Sequence, residues 1–419
     1  LNDRTNKTQA SEILIMTENQ TKTGLALALD DWRALINDDW RSLAIALYMV
    51  LVGYGVLVGI PVISTAWVTK LGFTEIEVGR VAGMDLGGLS AGAIVTAWVI
   101  NYFNRKLLVL AGIALAVFAN GMCLEYVDYN SVLWLRFLAG FGSGIYTAVA
   151  VATFGMSVRP ALAYNLMLFS FAFSQALEMR ILPNLSMNGI YWVFIGCFLA
   201  TLPFLGWVQS YPKNVNIQKN NPDTSTAKYG VYIPWICLLA IFMTYINIGG
   251  YWTYIELAAL DDNTNPELVS EVLVWASLCS LLGCLFATLL SNRFGLLRPL
   301  LVALVTMATG VGMLAFGINE SRFLVSVFTF SLLWVFTDVY QMGSLANFDY
   351  GGHYAAYLPA AQGLGQIVGP NIAASLLAAN LGYQSVFIMC WCAAMTAMLI
   401  YWILHRYLRA KYPSVADAS

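Results

Sequence analysis

Apolar residues run in long blocks along almost the whole chain, and polar residues are confined to short intervals between them. A membrane-spanning helix needs about 20 mostly apolar residues. Twelve blocks meet that length: 42–66, 79–101, 105–124, 131–156, 161–182, 189–209, 231–258, 268–290, 297–317, 322–345, 356–379 and 384–408. The longest polar interruption, Tyr211–Tyr229, reads YPKNVNIQKNNPDTSTAKY and follows the sixth block. The pattern predicts an all-α polytopic membrane protein of two six-helix bundles. It divides into an N-terminal segment 1–41, a first bundle 42–210, a linker 211–229, a second bundle 230–408 and a tail 409–419.

The N-terminal segment is polar and lacks the apolar core of a signal peptide. Met16 opens a stretch that reads as a natural start, which makes residues 1–15 upstream or added sequence. A doublet follows, Asp30-Asp31-Trp32-Arg33 and Asp38-Asp39-Trp40-Arg41, with the features of a short interfacial helix.

Charge sets the orientation. With the N-terminus in the cytoplasm, Arg105, Lys106, Arg159, Lys213, Lys219, Lys228, Arg293, Arg298, Arg406, Arg409 and Lys411 all fall inside. The outer turns are acidic, with Glu75, Glu77, Glu125, Asp128, Asp261, Asp262, Glu267, Glu271 and Glu320 against Lys70, Arg80 and Arg322. The asymmetry predicts an even number of spans and both termini cytoplasmic, as in a multi-pass protein of a bacterial inner membrane.

Composition agrees. The chain is 59% hydrophobic and only 11% charged, where soluble proteins average roughly 25% charged. No basic tract offers a surface to nucleic acid. The seven cysteines, Cys123, Cys197, Cys237, Cys279, Cys284, Cys390 and Cys392, all fall in apolar segments and read as buried thiols acting as small hydrophobes. Two histidines leave little for a metal site or a catalytic triad, and no cofactor is called for.

Two turns repeat at about half a chain length. Ala97–Lys106 reads AWVINYFNRK, and Ala287–Arg298 reads ATLLSNRFGLLR. Each is a small basic turn between the second and third spans of its half, as a duplicated transporter would have. The first copy resembles the signature loop of the major facilitator superfamily, G-x-x-x-D-R-x-G-R-[KR], with Asn101 at the Asp position, Asn104 at the Gly, and Arg105 and Lys106 as the basic pair. In the second copy Asn292, Arg293 and Gly295 match D-R-x-G, the acid again replaced. The resemblance covers about residues 41–410 and implies a conformational role for these loops, with a lock weakened by the missing acid. Arg136-Phe-Leu-Ala-Gly140-Phe-Gly142 is similar to the family's fourth-helix pattern R-x-x-x-G-x-G, whose Arg is often tied to proton coupling; Ala139 stands where Gln is frequent. Drug antiporters of the family usually carry G-x-x-x-G-P-x-x-G-G in span five. Here that span has no Gly-Pro, and Gly369-Pro370 lies in span eleven instead, which leans toward symport.

Charge inside a bilayer is costly and marks candidate function. The residues are Asp85, Arg136, Glu178, Arg180, Glu256 and Asp338. Asp85, Arg136, Glu178 and Arg180 share one depth in the outer half of the first bundle, at 1.5 Å of rise per residue. That depth predicts Arg136 facing Asp85 or Glu178 across a cavity, where substrate competing for the Arg frees the acid to take a proton. Asp338 is too deep in span ten to reach an interface and is the candidate of the second half. Asp85, Arg136, Glu178 and Asp338 are therefore the expected proton-coupling residues. Tyr54, Tyr146, Tyr251, Trp252, Tyr254, Trp334 and Tyr340 supply aromatic walls for an organic solute. Gln175 and Gln366 occupy matching places in spans five and eleven. With Arg136, Arg180 and Glu256 they complete the expected substrate site. Gly53, Gly55, Gly59 and Pro61 in span one, Gly249-Gly250 in span seven, and Gly363, Gly365, Gly369 and Pro370 in span eleven read as flexible points of a gate or as packing surfaces.

The reading is a secondary transporter, not an enzyme. It is expected to be a monomer that moves a small organic solute by alternating access in symport with protons, with organic anion as the slight preference. The rivals are a proton-antiport exporter of drugs or metabolites and a non-transporting receptor or scaffold.

Overall fold

The computed structural model describes residues 40–100, 102–157, 160–209, 232–294, 297–348, 354 and 357–411. The linker 211–229, most of the N-terminal segment, Asn101 and Gly295 lie outside the described residues, as do the side chains of Asn292 and Arg293.

Twelve long helices account for nearly all of the described chain, and none of it is strand. They are α1 (Trp40–Leu71), α2 (Glu75–Val99), α3 (Arg105–Met122), α4 (Tyr129–Gly155), α5 (Pro160–Ile181) and α6 (Met187–Leu199) in the first half. The second half holds α7 (Tyr232–Asp261), α8 (Pro266–Phe294), α9 (Leu297–Gly312), α10 (Glu320–Phe348), α11 (Leu358–Ala378) and α12 (Gly382–Lys411). Short 3₁₀ turns extend α6 over Leu202–Trp207 and α9 over Met313–Phe316. Each of the twelve sits on one of the twelve apolar blocks. Ten of them are long and apolar enough to cross a membrane by themselves; α5 and α11 are the two less apolar ones. The molecule is an integral, multi-pass membrane protein.

The starts of several helices are written locally. Thr74 and Glu77 form a reciprocal capping box at α2, Asp128 accepts from Ser131 N at α4, and Ser186 accepts from Gly189 N at α6. The backbone N–H of Ser131 also holds the Asp128 carboxyl below its ordinary pKa. Several of the acids that set the orientation thus sit in helix first turns, where the dipole favours them.

Packing rests on glycine. In a membrane there is no hydrophobic drive between helices, so association depends on close contact. Between α2 and α4 the backbones nearly touch. A Cβ on Gly88 would sit 2.8 Å from Phe141 N, and one on Gly144 would sit 2.8 Å from Ala93 N and nearer still to Leu89 O. Gly142 meets α3 in the same way, at Ala116 N. In the second half α7 and α11 repeat the arrangement, Gly365 against Phe242 O and Gly249 against the Gln366 Cα. The two halves then meet where α2 packs on α11, α5 on α8 and α1 on α7.

The glycines read as flexible points divide. The helix of α1 is interrupted by a turn at Tyr54, beside Gly53, whose carbonyl accepts from the Ser143 hydroxyl at 2.5 Å. By contrast α7 runs unbroken through Gly249-Gly250, and α11 through Gly369-Pro370. Those glycines serve helix contact. The cysteines also divide: Cys123, Cys237 and Cys390 are buried, three are half-buried, and Cys392 is exposed on the outer face of α12, so burial does not hold for all seven.

A side chain forced into the α2–α4 seam should separate the helices. Gly144→Val is expected to cost about 1–3 kcal/mol, read as a lowered thermal transition of the detergent-purified protein; an unchanged transition would show that the seam does not constrain the bundle.

Candidate functional site

Helices of the two halves enclose a cavity of about 180 Å³. Its lining comes from α1 (Tyr54, Leu57, Val58), α2 (Leu89, Ser90, Ala93), α5 (Met167, Phe171, Gln175), α7 (Tyr245), α8 (Ser280), α10 (Ser331, Trp334, Asp338, Met342) and α11 (Gln362, Gln366). These positions run from mid-span toward the side of the molecule on which the described chain begins and ends, here the termini side. α5 and α11, the two less apolar helices, are cavity walls, which accounts for their glutamines.

Asp338 is the sole carboxylate among the described lining residues, and none of those residues is basic. Both of its oxygens accept from one hydroxyl, that of Tyr245, at 2.8 and 2.9 Å. On α10 the residues Ser331, Trp334 and Asp338 follow at spacings of three and four, so one helix face presents all three to the cavity. The Ser331 hydroxyl is buried and has no hydrogen-bond partner. Across the cavity Tyr54 and Phe171 stack edge to face at 5.5 Å. Trp334 joins an aromatic column of Tyr251, Trp252 and Phe330, with Trp252 and Phe330 stacked at 5.8 Å.

The far side of the cavity is closed by contacts between the halves. Trp252 Nε1 donates to Val58 O at 3.3 Å, and Val58 lines the cavity. Tyr254 OH donates to Glu75 O at 2.8 Å. Arg80 of α2 donates to Asn371 Oδ1 at 2.8 Å and to Ser375 Oγ at 2.9 Å, both on α11. Glycines let these helices touch: Gly79 faces Tyr254 and Pro370, Gly83 faces Asn371, and Gly87 faces Ile367.

Asp85 and Arg136 do meet, but away from this cavity. Arg136 Nε and Nη2 reach Asp85 Oδ2 at 2.7 and 2.5 Å, Nη1 donates to Asn120 Oδ1 at 2.7 Å, and the guanidinium lies 5.8 Å from the Tyr191 ring centre. The cluster ties together α2, α3, α4 and α6. Beside it is a space of about 10 Å³, room for about one water. Leu89 lines both that space and the large cavity and stands between them. The expected facing of Arg136 and Asp85 across a substrate cavity is therefore replaced by a clamp inside one bundle.

The other expected residues are scattered. Tyr54, Gln175, Trp334, Asp338 and Gln366 line the cavity, and Trp252 closes it. Glu178 packs against Gly55 and Gly59 of α1, with Ser174 Oγ 3.4 Å from Oε1 and Oε2 unpartnered. Tyr146 is buried in the first bundle, sharing a 2.6 Å hydrogen bond with Thr201. Tyr340 stacks on Phe336 at 4.5 Å. Arg180 is exposed near the far end of α5. Glu256 is buried on α7, two residues beyond Tyr254, with Oε2 unpartnered. Neither arginine lines the cavity, so the preference for an organic anion, which rested on both, loses its ground. At the loops, Asn104 caps α3 through Lys106 N, and Arg105 is buried against Met156. Tyr245, Ser331, Gln362 and Asn120 were not singled out from the sequence, because single polar groups in an apolar run look like core; Ser331 and Gln362 share the helix faces of Asp338 and Gln366, whereas Tyr245 and Asn120 reach Asp338 and Arg136 from other helices.

The Major Facilitator Superfamily model matches residues 43–348. The chain belongs to that superfamily. No curated protein matches it. Among solved structures it is similar to a D-xylose–proton symporter, with a TM-score of 0.69 and 15% identity over 86% of this chain and 96% of that one. The nucleoside transporter NupG aligns with a TM-score of 0.66 and 12% identity over 87% and 98%. A human organic anion transporter aligns with a TM-score of 0.60 and 11% identity over 88% and 99%. These likenesses show the fold, and the family match makes the chain a major facilitator transporter.

Two predictions follow from the geometry of the superfamily member. Asp85→Asn should strand a buried guanidinium and cost about 3–5 kcal/mol of stability. The double variant Asp85→Asn/Arg136→Gln, with no charge left, should recover much of it; thermal melts of the three proteins in detergent test this, and equal losses in single and double variants would refute the clamp. On the far side, Ala374 is fully buried in the seam. In a protein freed of native cysteines, Ala374→Cys should react about fivefold faster with an impermeant maleimide once Arg80→Ala removes the bonds to Asn371 and Ser375, a shift of about 1 kcal/mol. An unchanged labelling rate would mean that Arg80 does not hold the seam shut.

Proposed function

We propose that the protein carries a small organic solute by alternating access and couples its movement to protons through Asp338. The observation that carries this reading is the position of Asp338: an acid in the wall of a cavity between the bundles, deep in a membrane helix, held by the Tyr245 hydroxyl beside Trp334. An ionisable residue kept at that depth points to ion or substrate handling. The mix of aromatic rings, amides and hydroxyls suits an organic solute rather than an inorganic ion.

The conformation is one end of the cycle. The far side is sealed by Arg80, Tyr254 and Trp252, and the cavity extends toward the termini side. With the termini in the cytoplasm of a bacterial inner membrane, as the distribution of Lys and Arg supports, this is the inward-facing state. The bundles rock about the α2–α11 and α5–α8 contacts, and one chain suffices to enclose the path. Asp85 and Arg136 brace the first bundle in this reading. A solute that is neutral would travel with the proton; a solute that is a cation would exchange for it.

Internal pH of proteoliposomes, followed with a trapped dye while pools of sugars, nucleosides, amines and carboxylates are added outside, tests the proposal. One pool is expected to shift the pH with wild type and not with Asp338→Asn, and the sign of the shift separates symport from antiport. Solute uptake without any pH change would sink proton coupling. A shift that survives in Asp338→Asn would sink the assignment of the carrier.

A further inference from the structure

We infer that the cavity selects organic cations, protonated amines on an apolar body, and that the ammonium group binds Asp338 in competition with the proton. The inference rests on the transporter reading above and adds the substrate class and the sign of coupling.

The charge of the lining decides the class. Asp338 stands in a wall without a described lysine, arginine or histidine. A carboxylate solute entering there would meet an acid and no counter-ion, with its hydration removed, which is strongly unfavourable. An ammonium solute meets the reverse. The Tyr245 hydroxyl donates to both Asp338 oxygens, and the Trp334 side chain adds a further interaction from the same helix as Asp338. A carboxylate has about four acceptor positions, so an N⁺–H donor finds sites left open or displaces the hydroxyl, and charge-assisted bonds are the stronger ones. The surroundings suit the rest of such a molecule. Trp334, one turn before Asp338, and the edge-to-face pair of Tyr54 and Phe171 offer π faces to a cation and flat apolar walls to its body. The unpartnered Ser331 hydroxyl, one further turn away on the same face, is placed for a polar group on the solute.

The same geometry fixes the coupling. Proton and ammonium need the same carboxylate, so each expels the other and transport is exchange. The titratable groups facing Asp338 are few. Tyr245 comes from α7 and Tyr54 from α1, while α5, α8 and α11 contribute the neutral Gln175, Ser280 and Gln366. The dependence on pH therefore belongs to Asp338: ammonium affinity should rise as pH rises and removes the competing proton.

Three probes that share one aromatic body separate the charge classes: 2-phenylethylammonium, 2-phenylethanol and 3-phenylpropionate, titrated calorimetrically into purified protein in detergent. The ammonium is expected to bind about ten- to a hundredfold more tightly than either other probe, the range of a hydrogen bond to a charged group. Asp338→Asn should remove that advantage, and the affinity of wild type should climb between acid and alkaline buffer. Tyr245→Phe, which removes the hydroxyl from both oxygens while leaving the acid, should bind the ammonium more tightly and serves if Asp338→Asn does not fold. No ammonium binding, equal or tighter binding of the alcohol or the carboxylate, a pH-independent affinity, or weakening by Tyr245→Phe overturns the inference. Preference for the alcohol leaves the proton-coupled carrier standing, since the proteoliposome measurement reads coupling without reference to this probe set.

Discussion

One helix carries glycine on two opposite faces, and the architecture depends on it. Gly88 and Gly92 of α2 meet the backbone of α4, and Gly79, Gly83 and Gly87 meet α11 of the other half. In lipid, apolar side chains gain nothing by leaving one apolar surface for another, so helices stay together where their backbones approach closely. On one face the approach is backbone to backbone and belongs inside a bundle. On the other face the glycines meet mainly side chains, Tyr254, Asn371 and Ile367. The first kind of seam has no slack. The second joins the two halves through side chains.

This division assigns the buried polar groups to two duties. Arg136 is held by Asp85 and Asn120 and covered by Tyr191, so its charge is spent on joining four helices of one bundle. Asp338 is held by Tyr245 and Trp334 and opens onto a cavity. Both are ionisable groups within the membrane and both looked functional for that reason, Arg136 also for its place in the R-x-x-x-G-x-G pattern. What separates them is their surroundings: Arg136 is enclosed by partners of its own bundle, and Asp338 faces the cavity between the bundles.

The spans were legible because a bilayer demands long apolar segments, and that demand is visible residue by residue. The shared depth of Asp85 and Arg136 was legible too, since helical rise converts sequence position into depth. Direction around the helix axis was not. Depth cannot tell that Arg136 turns into its bundle, that Tyr146 bonds Thr201 instead of facing the cavity, or that Tyr245 comes to Asp338. Gly249-Gly250 shows the same limit, since glycine needed for helix contact and glycine needed for bending look alike in a sequence. The pair is a contact surface on an unbroken helix, whereas the interruption of α1 falls at Tyr54.

The far-side seal is made of a guanidinium on an amide and a hydroxyl, an indole on a carbonyl, and a phenol on a carbonyl. Every one of these acceptors is neutral, and every donor is one that water serves almost as well. Were these hydrogen bonds ion pairs, parting the bundles would mean separating opposite charges as they entered a partly dry gap; the attraction of Lys70 on α1 for Glu256 on α7 is the charged exception. Here each broken contact can be exchanged for a solvent molecule as the gap widens. In the alternating-access reading proposed above, hydration lubricates the motion, and these contacts cost the cycle little when they come undone.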